Sequence, residues 1–278
     1  MAKKDTVYWH NAGYGAFRLE LYDYRDVLSF EDEHQLSDQA LKIDIIIIKK
    51  PPNVEIAKNI GRIFRSYNIV EYVPENRTLS IRDYDRVMGY AYLYSSFNGV
   101  PVQDISVTFS VMVRPRKLLK KLTNERGRVV NYNDEGIFSI QGEVYPVQIL
   151  LGKQLPKSEN IFLRNLRSGL SAEEFENTAQ AGRSIGPLDW KDAYFDRLMQ
   201  ANQTSFREVI AMSRAGREIY FKVGEETGLL ESRDKTVATI AASENSKAIA
   251  KKLLLMGNTV EVVSEATGLP VEVLASML

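Results

Sequence analysis

Apolar residues along the first half of the chain fall into two rhythms. Leu41-Lys42-Ile43-Asp44-Ile45-Ile46-Ile47-Ile48-Lys49 and Ile69-Val70-Glu71-Tyr72-Val73 are short β-branched runs, as strands buried within a sheet require. Between and around them the spacing lengthens to three and four. Residues 7–29 read as helix from about Ala12, with Phe17, Leu21, Tyr24 and Leu28 on one face. Pro51-Pro52 closes the first strand, and Asn53 is placed to cap a helix through about Arg65. A strand over 67–73 follows. Ser80-Ile81-Arg82-Asp83 then forms a capping box for a helix to about Tyr94, with Tyr84, Val87, Met88 and Ala91 facing the core.

Asp104–Val113 reads as a further buried strand and Pro115–Thr123 as a basic helix. From Arg128 to Leu151 the pattern is β-rich, broken at Asp134-Glu135-Gly136 and Gln141-Gly142, as hairpins are. After Gly152 the strand runs stop. Helices are expected at 171–182, 189–202, 204–222 and 244–256, with two short ones within Thr259–Leu278. The expected fold is α/β (α+β): a mixed sheet flanked by helices over 1–155, then an all-α region over 156–278, the boundary near 152–160.

Composition narrows the chemistry. The 278 residues carry 36 basic and 36 acidic side chains, so the net charge is zero and any nucleic-acid contact must come from a local patch. Absence of cysteine excludes disulfides, thiolate catalysis and Cys-based zinc sites; two histidines, His10 and His34, leave little for a His-based centre. Met-Ala-Lys-Lys-Asp-Thr is basic, but no apolar core follows, and no aliphatic run is long enough to span a bilayer. Cytoplasm, with no membrane partner, is the expectation.

Asp44 and Glu71 are the two acids set inside the strand runs. A lone buried carboxylate costs several kcal/mol unless it is paired, protonated or bound to a cation. Were the strands adjacent, the two could converge on one Mg²⁺ or Mn²⁺, both of which favour oxygen ligands. The competing reading is an ordinary ion pair, and Lys42 lies two positions from Asp44 on its face. Residues 114–128 hold seven basic residues and one acid. On a helix Lys117, Lys120 and Lys121 share one face and Leu118 and Leu122 another, suiting either a phosphate backbone or plain solvent. Thr259–Leu278 has three glutamates and no Lys or Arg, which argues against DNA reading and for packing between copies, as in a homodimer. Tyr84, Tyr90, Tyr92 and Tyr94 could stack bases, but helical spacing favours the core. Gly13-Tyr14-Gly15 lacks the preceding strand of a dinucleotide fingerprint.

Taken in order, Tyr8-Trp9-His10, Ala40–Asp44, Asn59–Arg65, Asn68–Tyr72, Asp83-Tyr84 and Gly89-Tyr90-Ala91 resemble the PD-(D/E)XK, restriction-endonuclease-like superfamily. Within it the chain resembles bacterial transposase-associated proteins of the recombination-promoting nuclease type, including the tail Ile249–Leu254 and Ala266–Pro270. The resemblance implies a restriction-endonuclease-like fold and Mg²⁺-dependent DNA endonuclease chemistry. It makes Asp44 and Glu71 catalytic and metal-binding, and Glu20 a third metal carboxylate. Arg114, Arg116, Lys117, Lys120 and Lys121 become the DNA contacts. Where the family has lysine, this chain has Val73. Loss of such a group typically costs about 10²–10³ in rate, so a non-cleaving nucleic-acid-binding or assembly module is the alternative. Lys42, Lys49, Arg82 and Arg86 are cations near enough in sequence to substitute.

Overall fold

A computed structural model of the chain describes residues 2–31, 46–133, 135–185 and 189–212, with 250, 251, 253, 254, 259–267 and 274. Two compact units divide it, residues 1–203 and 204–278. The first is built on a seven-stranded mixed sheet. Its strands are β1 (Ser29–Glu31), β2 (Ile46–Lys49), β3 (Tyr67–Val73), β4 (Ile105–Val111), β5 (Val129–Tyr132), β6 (Ile137–Gln141) and β7 (Val147–Leu151), in the order β1-β2-β3-β4-β7-β6-β5. The β3–β4 and β4–β7 pairs are parallel and the others antiparallel.

The parallel β3–β4 pair requires a crossover, supplied by α2 (Ile81–Asn98). Its start is the predicted capping box: Ser80 Oγ accepts from the Asp83 amide, and the Asp83 carboxylate accepts from the Ser80 amide. Gly99, at φ 61°, ends the helix in the left-handed conformation that glycine adopts without strain. The predicted apolar face is buried as read, and Tyr84, Val87, Met88 and Ala91 pack on Ile69, Val73, Val107 and Phe109. Leu118 and Leu122 of α3 (Arg116–Asn124) join the same core. The four tyrosines divide: Tyr84 and Tyr94 are buried, Tyr90 is half-buried, and Tyr92 is 47% exposed.

Strand alternation sends Asn68, Val70 and Tyr72 to the opposite face. There α1 (Ala2–Glu20) and α4 (Ile161–Asn165) cover the sheet. Gly13 lets α1 approach closely, since a Cβ at that position would stand 2.8 Å from Tyr72 Cγ. Tyr72 donates its hydroxyl to the Leu166 carbonyl (3.0 Å). Two buried amides on this face bond to main-chain carbonyls. Asn68 Nδ2 donates to the carbonyls of Ile48 and Arg65, and Gln148 Nε2 to that of Ile60.

Three expectations change. First, α1 begins at Ala2 and stops at Glu20, followed by a single 3₁₀ turn at Tyr22–Tyr24. Second, residues 53–65 form no α-helix, only the 3₁₀ turn Asn59–Gly61. The reason lies in buried side-chain bonds that compete with helix: Asn59 Oδ1 accepts from the Ile60 amide and its Nδ2 donates to Asn160 Oδ1. Third, the sheet unit runs past the expected boundary to residue 203. Helices α4 and α6 (Asp189–Ala201) both pack on α1, and α5 (Ala172–Ser184) packs on α4.

In the second unit α7 (Gln203–Met212, its first residue belonging to the first unit) and α8 (Val260–Thr267) are described, with a small apolar cluster of Ala250, Val263 and Leu274. The expected helix 244–256 lies mostly outside the described residues. Among the described residues no helix is long and apolar enough to cross a membrane.

Candidate functional site

Glu71 sits in the middle of β3, beside Phe109 of β4, and is 5% exposed. Its side chain points to the α2 face. The turn 74–79 brings the start of α2 back over the end of β3, so residues one helical turn apart meet the strand. Arg86 extends from α2 to Glu71 Oε1 (3.1 Å) and reaches Asp83 Oδ1 (3.4 Å). Arg77 meets the same Asp83 oxygen at 3.3 Å. The Asp83 carboxyl is held below its usual range. Burial alone would raise it, but the Ser80 hydroxyl and amide, Arg86 and Arg77 together outweigh that cost.

Of the four substitute cations considered, Arg86 is the one at Glu71. Lys49 is paired with Glu31, and Arg82 is exposed with no ion pair to a described residue. Lys42 and Asp44 lie outside the described residues. Ile46 and Ile48 register with Val70 and Asn68, on the face away from Glu71. Val73 shares the face of Glu71, is 1% exposed, and is packed in the core beneath α2.

Glu20 ends α1, on the other side of the sheet. Its Oε1 accepts from the amides of Phe162 (2.6 Å) and Leu163 (2.9 Å), the second and third residues of α4, and Oε2 pairs with Lys58 at 2.9 Å. The residue in the cap position of α4, Asn160, makes no side-chain cap bond because its oxygen is engaged by Asn59. Glu20 therefore caps a helix 142 residues downstream, a place where a carboxylate also meets the positive end of the helix dipole. Burial raises its carboxyl above the usual range, with Lys58 and the two amides working against that rise.

Glu20 and Glu71 are thus not brought together: one faces α4 and the other α2. Both oxygens of Glu20 are committed, and Glu71 already faces a guanidinium. These two residues do not fit a shared divalent ion, and among the described residues no group of three acids or histidines gathers anywhere.

The basic segment is arranged as its pattern predicts. Leu118 and Leu122 anchor α3, while Arg114, Arg116, Lys117, Lys120 and Lys121 are exposed. Arg114 lies over the rings of Tyr132 and Phe138 (5.8 and 5.1 Å to the centroids). None of the five makes an ion pair with a described residue. Arg126, beyond them, does: its guanidinium forms two bonds to Asp85 of α2 (2.5 and 2.8 Å).

Sequence reasoning missed two roles. The capping duty of Glu20 left no sequence signal, since its partners are 38 and about 140 residues distant. The pairing of Arg86 with Glu71 was one of four options the spacing left open. A capping box that fixes the start of α2 also fixes 83 and 86 as one-turn neighbours over the preceding strand. Comparisons with family models, curated proteins and solved structures found no match for the chain.

Proposed function

We propose that this chain is a nuclease-type, restriction-endonuclease-like fold that holds nucleic acid without cutting it. The observation that carries the reading is α3: exposed cations with no acidic partner among the described residues, on a helix fixed to the core by two leucines. Phosphate is the chemistry such a row neutralises. The loss of cleavage is argued from the interior. The position that would supply an amine beside the acids is Val73, sealed in the core, and Glu71 is neutralised by Arg86. The helices after residue 203 belong to the same reading as a self-association module, with no Lys or Arg over Thr259–Leu278.

Binding is tested by fluorescence anisotropy of labelled DNA against salt. About five phosphate contacts on a duplex give a log–log slope near −4 to −5, and reversing Lys117, Lys120 and Lys121 to Glu removes most of it. Cleavage is tested on supercoiled plasmid with Mg²⁺ or Mn²⁺ beside an Asp44→Ala control. No nicking by either protein is expected. Nicking that Asp44→Ala abolishes would overturn the reading in favour of a metal-dependent DNA endonuclease. The observation favouring that second reading is the guanidinium that Arg86 sets at Glu71, a cation beside the acid where Val73 offers none.

A further inference from the structure

The exposed side of α2 changes character along its length. Arg82, Asp85, Arg86, Gly89, Tyr92, Leu93 and Phe97 follow at helical intervals, so the first two turns are charged and the last two apolar. Phe97 is 61% exposed, Tyr92 47% and Leu93 36%. Between the halves stands Gly89, with open space where a side chain would be. The rings are not loose ornaments of the surface. Tyr92 leans on buried Tyr145, centroids 5.0 Å apart, which fixes its position and leaves its other side open.

Beside this helix lies α3. Both pack on one core, and the two hydrogen bonds from Arg126, just past α3, to Asp85 of α2 link them. The two helices therefore offer Arg82, Arg116, Lys117, Lys120 and Lys121, none of them ion-paired to a described residue. The exposed carboxylates there are Glu125, at the end of α3, and Asp85, paired with Arg126. A protein partner for the aromatic end would need acidic groups to meet the basic end. A duplex, whose bases are stacked on one another, would have no use for the rings. Single-stranded nucleic acid meets both halves: phosphates for the cations and unstacked bases for the aromatic faces.

We propose that the α2–α3 face binds single-stranded nucleic acid, with bases stacked on Phe97 and Tyr92 and the strand's phosphates on the α3 cations. This rests on the nucleic-acid reading above and names the form of its ligand. It also reassigns Tyr92, which periodicity alone placed in the core.

The experiment uses the full chain and two labelled ligands, oligo(dT)₂₀ and a mixed-sequence 20-base-pair duplex, at one salt concentration. The single strand is expected to bind more tightly. Phe97→Ala and Tyr92→Ala should each weaken oligo(dT)₂₀ about tenfold, as base–aromatic stacking implies, and leave the duplex unchanged. Phe97→Ala should leave the urea midpoint unchanged and Tyr92→Ala, which loses the Tyr145 contact, should lower it slightly, so both are read on folded protein. Charge reversal at Lys120 and Lys121 should weaken both ligands. If that reversal weakens both while the aromatic variants stay within about twofold of wild type, the stacking face is refuted and the parent reading survives. Salt-insensitive or absent binding of both ligands removes the two together. An oligomer seen by light scattering that Phe97→Ala dissolves would assign the face to a second copy instead, and would also overturn the proposal.

Discussion

Replacing Glu20 separates a metal carboxylate from a helix cap, because the two roles respond oppositely to Gln and Ala. As a cap, Glu20 supplies an oxygen to two buried amides of α4 and a charge to Lys58. Gln keeps the oxygen. It loses the charge, but burial already disfavours that charge enough to raise the carboxyl above its usual range. Lys58 is 21% exposed and can turn to water. The expected cost of Glu20→Gln is therefore at most about 1 kcal/mol. Ala strands both amides, each costing about 1–3 kcal/mol, so Glu20→Ala should lose about 2–6 kcal/mol. At about 2–4 °C per kcal/mol that is a fall of about 4–24 °C in Tm. Urea unfolding in EDTA reads the first quantity and a thermal melt the second. The sign with pH follows from the raised carboxyl. Its contribution to stability is fully present below the unfolded value near 4.5, and is lost as pH rises through the higher folded value, a dependence Gln should flatten. An Ala variant losing under about 1 kcal/mol in EDTA would refute the cap. So would a Mn²⁺-dependent rise in wild-type Tm that Gln abolishes.

Ser80→Ala removes the hydroxyl that accepts from the Asp83 amide at the start of α2, and should cost about 1 kcal/mol in urea unfolding. Gly61→Ala places a methyl against the Ile56 side chain in the buried turn that replaces the expected helix; about 1–3 kcal/mol should be lost, and an unchanged midpoint would show the turn is looser than described. Asp196, half-buried on α6, has its carboxyl pushed up to about 6 by desolvation. Its contribution is complete below about pH 4 and lost as pH rises through about 6. Asp196→Asn should thus gain about 1 kcal/mol at pH 8, the full shift being discounted for partial exposure, and nothing at pH 4.

The parts of this fold legible in advance are those whose cause is local. A β-branched run fixed β3, a four-residue cap fixed the start of α2, and leucines at a spacing of four fixed the buried side of α3. What was not legible depends on residues far apart in sequence. The segment 53–65 has helical spacing and a capping Asn53, yet Asn59 finds Asn160 a hundred residues on and the helix does not form. Tyr92 has the same periodicity as Tyr84, but Tyr84 falls over the sheet, stacked on Phe109 at 5.1 Å, while Tyr92 falls beyond it. At the candidate site the acid Glu71 was read correctly as buried, and its partner was one of four cations that spacing alone could not choose among.

The distribution of paired and unpaired charge bears on function more than the charge total does. A metal site needs acids whose negative charge is left for the ion, whereas a surface that holds phosphate needs cations left for the ligand. In this neutral chain three acids among the described residues are compensated: Glu71 by Arg86, Glu20 by Lys58 and two amides, Asp83 by Arg77 and Arg86. The exposed cations of α3 have no ion-pair partner among the described residues. Val73 fits the same division. An amine there would have to be buried beneath α2 next to Tyr84 and Val87, where a valine instead adds apolar contact and lets the helix settle on the sheet. Under the proposed reading, valine at 73 favours the core over catalysis, while α3 leaves its cations exposed to a ligand.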